Sequence, residues 1–217
     1  MADAARFITF EGGEGAGKST QIKVVAEALA RAGIPHILTR EPGGSAGAEA
    51  IRELIVTGQA DRWDPVTETL LIMAARNDHI FNTVQPALVA GTWVLCDRFL
   101  DSTRVYQGIA KQVNSAWLEQ LHRLLFGSLL PDVTVLLDID PSIGLQRAAE
   151  RKGNEMRFEG LPLHFHQTLR EGFLHLAQRE PQRFVVVDAA VDAAQVSAML
   201  LAQLSQRLQI ELTHAAS

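Results

Sequence analysis

A single cysteine, Cys96, in 217 residues excludes an intrachain disulfide and suits a reducing compartment. It sits inside an apolar run, where a buried small hydrophobe is the ordinary role of such a residue. Basic charge is also short: 20 Lys and Arg against 25 Asp and Glu leave a formal net charge of -5. That excludes a general nucleic-acid surface and requires any anion site to be local. Lysine is scarcest, with Lys18, Lys23, Lys111 and Lys152 the whole set. The remaining cations are arginines, the better bidentate partners for phosphate oxygens. The chain does not open on a basic stretch followed by a long apolar one, and no apolar run approaches about 18 residues. Neither a secretory signal nor a membrane span is therefore expected, and a cytoplasmic location is. Linkers, repeats and low-complexity segments are likewise missing, so residues 1–217 are read as one domain.

What the sequence does have is alternation. Five short apolar or β-branched runs stand apart, at residues 6–10, 35–39, 92–96, 133–138 and 183–188. Near-continuous apolar runs suit strands buried on both faces of a parallel sheet. The stretches between them have helical spacing, at about 19–31, 46–57, 64–90, 115–126, 141–151, 161–179 and 191–212. Strands alternating with helices predict an α/β protein, a three-layer α/β/α sandwich on a five-stranded parallel sheet with right-handed crossovers.

The first strand runs into "FEGGEGAGKST", Phe10 to Thr20. Gly12 and Gly17-Lys18-Ser19 enclose Gly13, Glu14, Gly15 and Ala16, and a helix follows at once through Thr20. This is the form of a phosphate loop. Glycines let backbone N–H groups turn inward around a β-phosphate, Lys18 reaches the terminal phosphates, and the Ser19 hydroxyl is placed for Mg²⁺. The run "WVLCD" brings Asp97 to the end of another strand, where an acid can hold the same ion through water. The Asn-Lys-x-Asp of GTPases does not occur. Glu14, an acid among phosphate-binding groups, requires a hydroxyl, a metal or a cation to face. His79, His122, His164 and His166 have no spacing that suggests a zinc site.

Five stretches in order, "FEGGEGAGKST", "TREPGG" (39–44), "MAAR" (73–76), "CDRFLDSTRVYQG" (96–108) and the "RFE" ending at Glu159, resemble bacterial thymidylate kinase over nearly the whole chain. The resemblance implies a P-loop kinase that transfers the γ-phosphoryl group of ATP to dTMP with Mg²⁺, acts as a homodimer, and binds neither nucleic acid nor membrane. By matching position, Arg98 grips the dTMP phosphate, and Arg40 and Arg52 add nucleotide contacts. Arg76 hydrogen-bonds a thymine carbonyl, Thr103 and Gln107 face the base, and Tyr106 packs against the sugar. Glu14 meets the sugar 3′-hydroxyl. A lid over about 147–160 closes on ATP, with Arg147 near the nucleotide and Arg151 or Arg157 delivering a catalytic cation. Four positions depart from the family pattern, two of them in the lid, where Met156 takes the place of the acid that usually precedes the last arginine and Lys152 stands where an arginine is commoner. Ile72 stands where a phenylalanine commonly stacks on thymine, and Arg104 replaces a neutral residue, either turning outward or pairing with Asp101. These departures leave a kinase for another nucleoside monophosphate or deoxynucleoside as an alternative, and the altered lid leaves a P-loop regulator.

Overall fold

The computed structural model describes residues 5–59, 61–150 and 160–213. Five parallel strands form one sheet in the order β2-β3-β1-β4-β5: β1 Phe7–Glu11, β2 His36–Arg40, β3 Trp93–Asp97, β4 Val133–Asp138 and β5 Phe184–Asp188. The predicted runs are all strands. β1, β2, β3 and β5 begin one residue later than their apolar runs, and β1, β2 and β3 also end one residue later. In those three the last residue is polar, Glu11, Arg40 and Asp97 respectively, because the C-terminal strand ends carry the site.

Alternation along each strand divides the interior between two faces. Ile8, Phe10, Leu95, Val135, Leu137, Val185 and Val187 pack under α1 (Lys18–Arg31) and α9 (Ala193–Leu208). Phe7, Val94, Cys96 and Leu136 point the other way. There they meet Ile80, Val84, Phe99 and Leu100 at one end and helix α8 (Leu163–Arg179) at the other. The period of two thus sorts the buried residues of the strands between the two helical layers, while Leu38 and Val186 on the edge strands stay exposed. Burying a side chain the size of these leucines or phenylalanines stabilises by about 1.5–3 kcal/mol, so the sandwich is held mainly by this sorting.

The remaining helices are α2 (Ala46–Val56), α3 (Pro65–His79), α4 (Gln85–Val89), α5 (Leu100–Thr103), α6 (Ser115–Phe126) and α7 (Pro141–Ala149). The long helix expected over 64–90 is continuous but not uniform. Between α3 and α4 it widens into a π-helical turn, Ile80–Val84, where the Gln85 N–H reaches back five residues to the Ile80 carbonyl. Pro86, which has no N–H to donate, follows directly. A second π-helical segment, Arg104–Ala110, continues α5. The periodicity reading left 100–110 without a helix, because its apolar residues follow neither a 3.6 nor a 2.0 period.

The fold also settles Arg104, which turns inward. It donates to Asp101 at 3.0 Å and, through two bonds, to Glu119 at 2.6 and 2.9 Å, and it reaches Glu180 at 3.2 Å. Arg183 clamps the same Asp101 at 2.6 and 2.9 Å, beside the hydrogen-bonded pair Thr9 and Thr134. This network fastens the 100–110 segment to the sheet, α6 and α8, and burial of Asp101 is offset by its two arginines, which hold it below its usual carboxylate range.

Candidate active site

All the site elements meet at the C-terminal edge of the sheet, the position at which open parallel α/β sheets carry ligands. The loop between β1 and α1 lies directly on β4 and α7. A Cβ on Gly12, whose φ is +137°, would stand 2.5 Å from the Leu137 carbonyl oxygen, and one on Gly15, with φ +69°, would stand 1.9 Å from that of Gly144. Both positions therefore need glycine for conformation and for space. The contact is reciprocal, since a Cβ on Gly144 would come within 2.4 Å of the Glu14 carbonyl oxygen. Gly144→Ala improves α7 as a helix by about 1 kcal/mol but must push the phosphate loop aside. The expected result is a KM for ATP raised about tenfold and a lowered melting temperature, since the group met is backbone and cannot swing aside; an unchanged KM would show that the loop yields without consequence.

Lys18 is buried, and its ammonium donates to the Gly12 and Gly13 carbonyls at 3.1 and 2.9 Å. Burial, reinforced by Arg98, brings its pKa down to about 8. Ser19 Oγ, in the first turn of α1, lies 3.4 Å from Asp97 Oδ2. Two hard oxygen groups of this kind, one neutral and one acidic, beside a phosphate loop suit a Mg²⁺ that keeps most of its water and takes phosphate oxygens as further ligands. Among the described residues, no group of three or more His, Cys, Asp or Glu is placed to hold a metal ion.

Arg98 is the hub of the site. Its backbone is left-handed, φ 68°, and its N–H donates to the Phe10 carbonyl at 2.9 Å. The guanidinium donates to the Gly12 carbonyl, to Ser102 Oγ and, at 3.1 Å, to Glu14 Oε1, and it lies 5.1 Å from the centre of the Tyr106 ring. Tyr106 donates its hydroxyl to the same Glu14 oxygen at 3.0 Å. Burial raises the pKa of Glu14, but Arg98, Lys18 and the tyrosine hydroxyl outweigh it and hold the carboxyl below its usual range. The acid in the phosphate loop is thus ionised, and it joins that loop to the segment carrying Arg98 and Tyr106.

A second group surrounds Arg76, which is 2% exposed. Its Nε donates to Glu41 at 2.6 Å, its Nη2 donates to Thr103 Oγ1 at 2.9 Å, and it stands 4.9 Å over the Phe99 ring. Glu41 also meets His79 Nδ1 at 2.9 Å, and its two cationic or hydrogen-bonding neighbours outweigh burial and keep its pKa low. Ile72 is half-buried one turn earlier on α3, and Gln107 donates to Glu68 at 2.9 Å. Arg40 and Arg52 lie around the adjoining loop, Arg40 paired with Glu49 at 3.0 Å and Arg52 donating to the Pro42 carbonyl at 2.5 Å. Arg147 is on α7 and donates to the Ala189 and Ala190 carbonyls beyond β5. Arg151 and Arg157, the expected catalytic cations, lie outside the described residues.

Three acids of the site were missed in the sequence: Glu41 and Glu68, which hold Arg76 and Gln107, and Glu11; Asp101, expected as a partner of Arg104, also anchors Arg183. Glu11, fully buried, accepts from the Phe99 N–H at 2.8 Å and from Ser102 through both its N–H and hydroxyl. It thereby fixes the turn that presents Arg98, and burial, together with Asp101, pushes its pKa up to about 7. A carboxylate ending an otherwise apolar strand was the available signal for Glu11; for the others the partners are remote in sequence.

A phosphate loop over a five-stranded parallel sheet, with the Arg98 guanidinium bonded to the Gly12 carbonyl and to Glu14 of that loop, defines a phosphotransferase of the P-loop kinase class. Residues 10–200 match the family model described as thymidylate kinase. A thymidylate kinase of Caulobacter vibrioides is 52% identical over 202 residues, covering 93% of this chain and 97% of that one, and a thymidylate kinase of Magnetococcus marinus is 50% identical over 93% and 96%. The crystal structure of thymidylate kinase from Ehrlichia chaffeensis superposes with a TM-score of 0.76 at 30% identity, covering 93% of this chain and 99% of that one. The chain belongs to the thymidylate kinase family.

Proposed function

We infer that the protein transfers the γ-phosphoryl group of ATP to dTMP, giving ADP and dTDP. The observation that carries this reading is the contact of Glu14 with both Arg98 and Tyr106, which brings the donor loop and the acceptor segment to one point. In-line phosphoryl transfer depends on such juxtaposition and on cations around the moving group.

The residues then take these roles. Backbone N–H groups of Gly12 to Thr20 and the α1 N-terminus surround the β-phosphate of ATP. Lys18 exchanges its loop carbonyls for the terminal phosphates, and Arg98 holds the dTMP phosphate in line. Glu14 orients the sugar hydroxyl, and Tyr106 bounds the sugar. Ser19 and Asp97 would hold Mg²⁺, which neutralises charge on the bridging phosphate oxygens when bound. Arg76 and Thr103 address the base over Ile72, with Gln107 beyond, while Arg40 and Arg52 flank the acceptor. Arg147 approaches the nucleotide from α7, and the 147–160 segment supplies the remaining cation through Arg151 or Arg157.

Self-association accompanies this reading: Leu70, Phe81 and Val89, on α3, the π-helical turn and α4, are 48%, 72% and 83% exposed, an apolar stripe suited to a second copy. Among the described residues no helix is long and apolar enough to cross a membrane.

The test is ADP release by the purified protein with MgATP, comparing dTMP with dUMP, dCMP, dGMP, AMP and thymidine. The expected result is the highest kcat/KM for dTMP. Preference for another acceptor would keep the phosphate chemistry and overturn the pocket assignment.

A further inference from the structure

Glu68, Ile72 and Arg76 follow one another at four-residue steps on one face of α3. The segment opposite answers them in the same order: Arg76 meets Thr103 at one end, and Gln107, one turn further along, meets Glu68 at the other. A flat ring resting on Ile72 is therefore flanked by a guanidinium and by a carboxamide. Glu68 has no surface exposure, and its Oε1 also accepts from Lys111 Nζ at 2.6 Å.

A carboxylate paired with lysine offers acceptors only, so the Gln107 amide must turn its NH₂ toward Glu68. The amide oxygen is then directed away from Glu68, and among the described residues the amide makes that one hydrogen bond. Without Glu68 either orientation of a carboxamide would serve.

We propose that Glu68, held by Lys111, is a positioning residue for base selection, locking the Gln107 amide so that its oxygen faces the base. An acceptor at that place takes a hydrogen bond from the ring N3–H of thymine or uracil. Cytosine presents a bare acceptor nitrogen there and meets lone pair with lone pair, a mismatch that buried polar sites reject strongly. The device separates bases by N3 protonation and is indifferent to the 5-methyl group. It rests on the placement of the base against Ile72 given above.

The experiment is calorimetric binding of dTMP, dCMP and 3-methyl-dTMP, without ATP, to the wild type, Glu68→Gln, Gln107→Leu and the double variant. The wild type should bind dTMP at least about 100-fold tighter than the other two. Glu68→Gln is nearly isosteric, yet its amide can donate or accept, so it frees the neighbouring carboxamide. The dTMP to dCMP ratio should then fall about tenfold, mainly by weaker dTMP binding. In the Gln107→Leu background Glu68→Gln should leave the ratio unchanged, because the effect passes through the amide. Equal losses for dTMP and dCMP in Glu68→Gln, or a ratio change that persists in the Gln107→Leu background, would overturn the proposal and leave the pocket assignment standing. A wild type that fails to discriminate against 3-methyl-dTMP would instead remove Gln107 from the base site and the proposal with it. Should Glu68→Gln lose its native melting transition, Lys111→Met provides the same comparison, with a severalfold drop in the ratio expected and an unchanged ratio overturning the role.

Discussion

Lys18→Met should lower kcat on the order of 10³-fold, about 4 kcal/mol of transition-state stabilisation, while leaving the affinity for dTMP close to that of the wild type. The split follows from position: Lys18 sits at the start of α1 with its ammonium on the Gly12 and Gly13 carbonyls, on the donor side of the site. Methionine fills much of the same volume, so the loss isolates the charge. Steady-state kinetics at saturating ATP together with dTMP titration checks it, and a kcat within tenfold of the wild type would remove Lys18 from the chemistry. The same residue gives a pH signature. With its pKa brought down to about 8 by burial and by Arg98, the empty protein loses the Lys18 charge above that pH. Phosphates favour the charged form, so the apparent KM for ATP should rise toward tenfold per pH unit above about 8, while kcat at saturating ATP stays nearly level. In Lys18→Met this rise should vanish.

Arg98→Ala is expected to do two separable things. It removes the guanidinium assigned to the dTMP phosphate, so KM for dTMP should rise by at least about 100-fold, the scale of a charge-assisted bidentate contact. It also leaves Glu14, whose side chain is 20% exposed, without its arginine, and unfolding should become easier by about 2–3 kcal/mol. Backbone conformation adds a distinguishing comparison. At φ 68° an alanine bears the left-handed penalty that glycine avoids, so Arg98→Gly should unfold about 1 kcal/mol less easily than Arg98→Ala while losing dTMP binding to the same degree. Equal stabilities would show that the Phe10 hydrogen bond and Glu11 do not hold that turn in the variants; an unaltered KM for dTMP would move the phosphate elsewhere.

The strands and most helices were legible because each is recorded locally. Val133–Asp138 and Ser115–Phe126 were bounded correctly from apolar spacing alone, and the phosphate loop declares itself by six consecutive positions from Gly12 to Gly17 leading into Lys18 and Ser19. Segment 100–110 was not legible as a helix. Asp101, Tyr106 and Gln107 are polar or partly polar residues buried there and Arg104 is half-buried, so no apolar period marks the segment, and the partners that make their burial possible, Arg183, Glu119, Glu14 and Glu68, come from elsewhere in the chain. Ile72 illustrates the opposite limit: its identity was plain, but only the positions of Glu68 and Arg76 show what lies on either side of a ring above it.

By itself, then, the sequence determined the alternation of strand and helix, the donor loop with Lys18 and Ser19, and the reason an acid could stand at position 14. These rest on short-range rules: the period of a strand or helix, and the geometry of a few consecutive residues. Tertiary structure alone decided how the acids are used. Glu11 fixes the Arg98 turn from 88 residues away, Glu41 orients Arg76 across 35, and Glu68 turns the Gln107 amide across 39. Hydrogen bonds and charges of buried groups act over a few ångströms of space, and no spacing along the chain encodes which distant donor will arrive there.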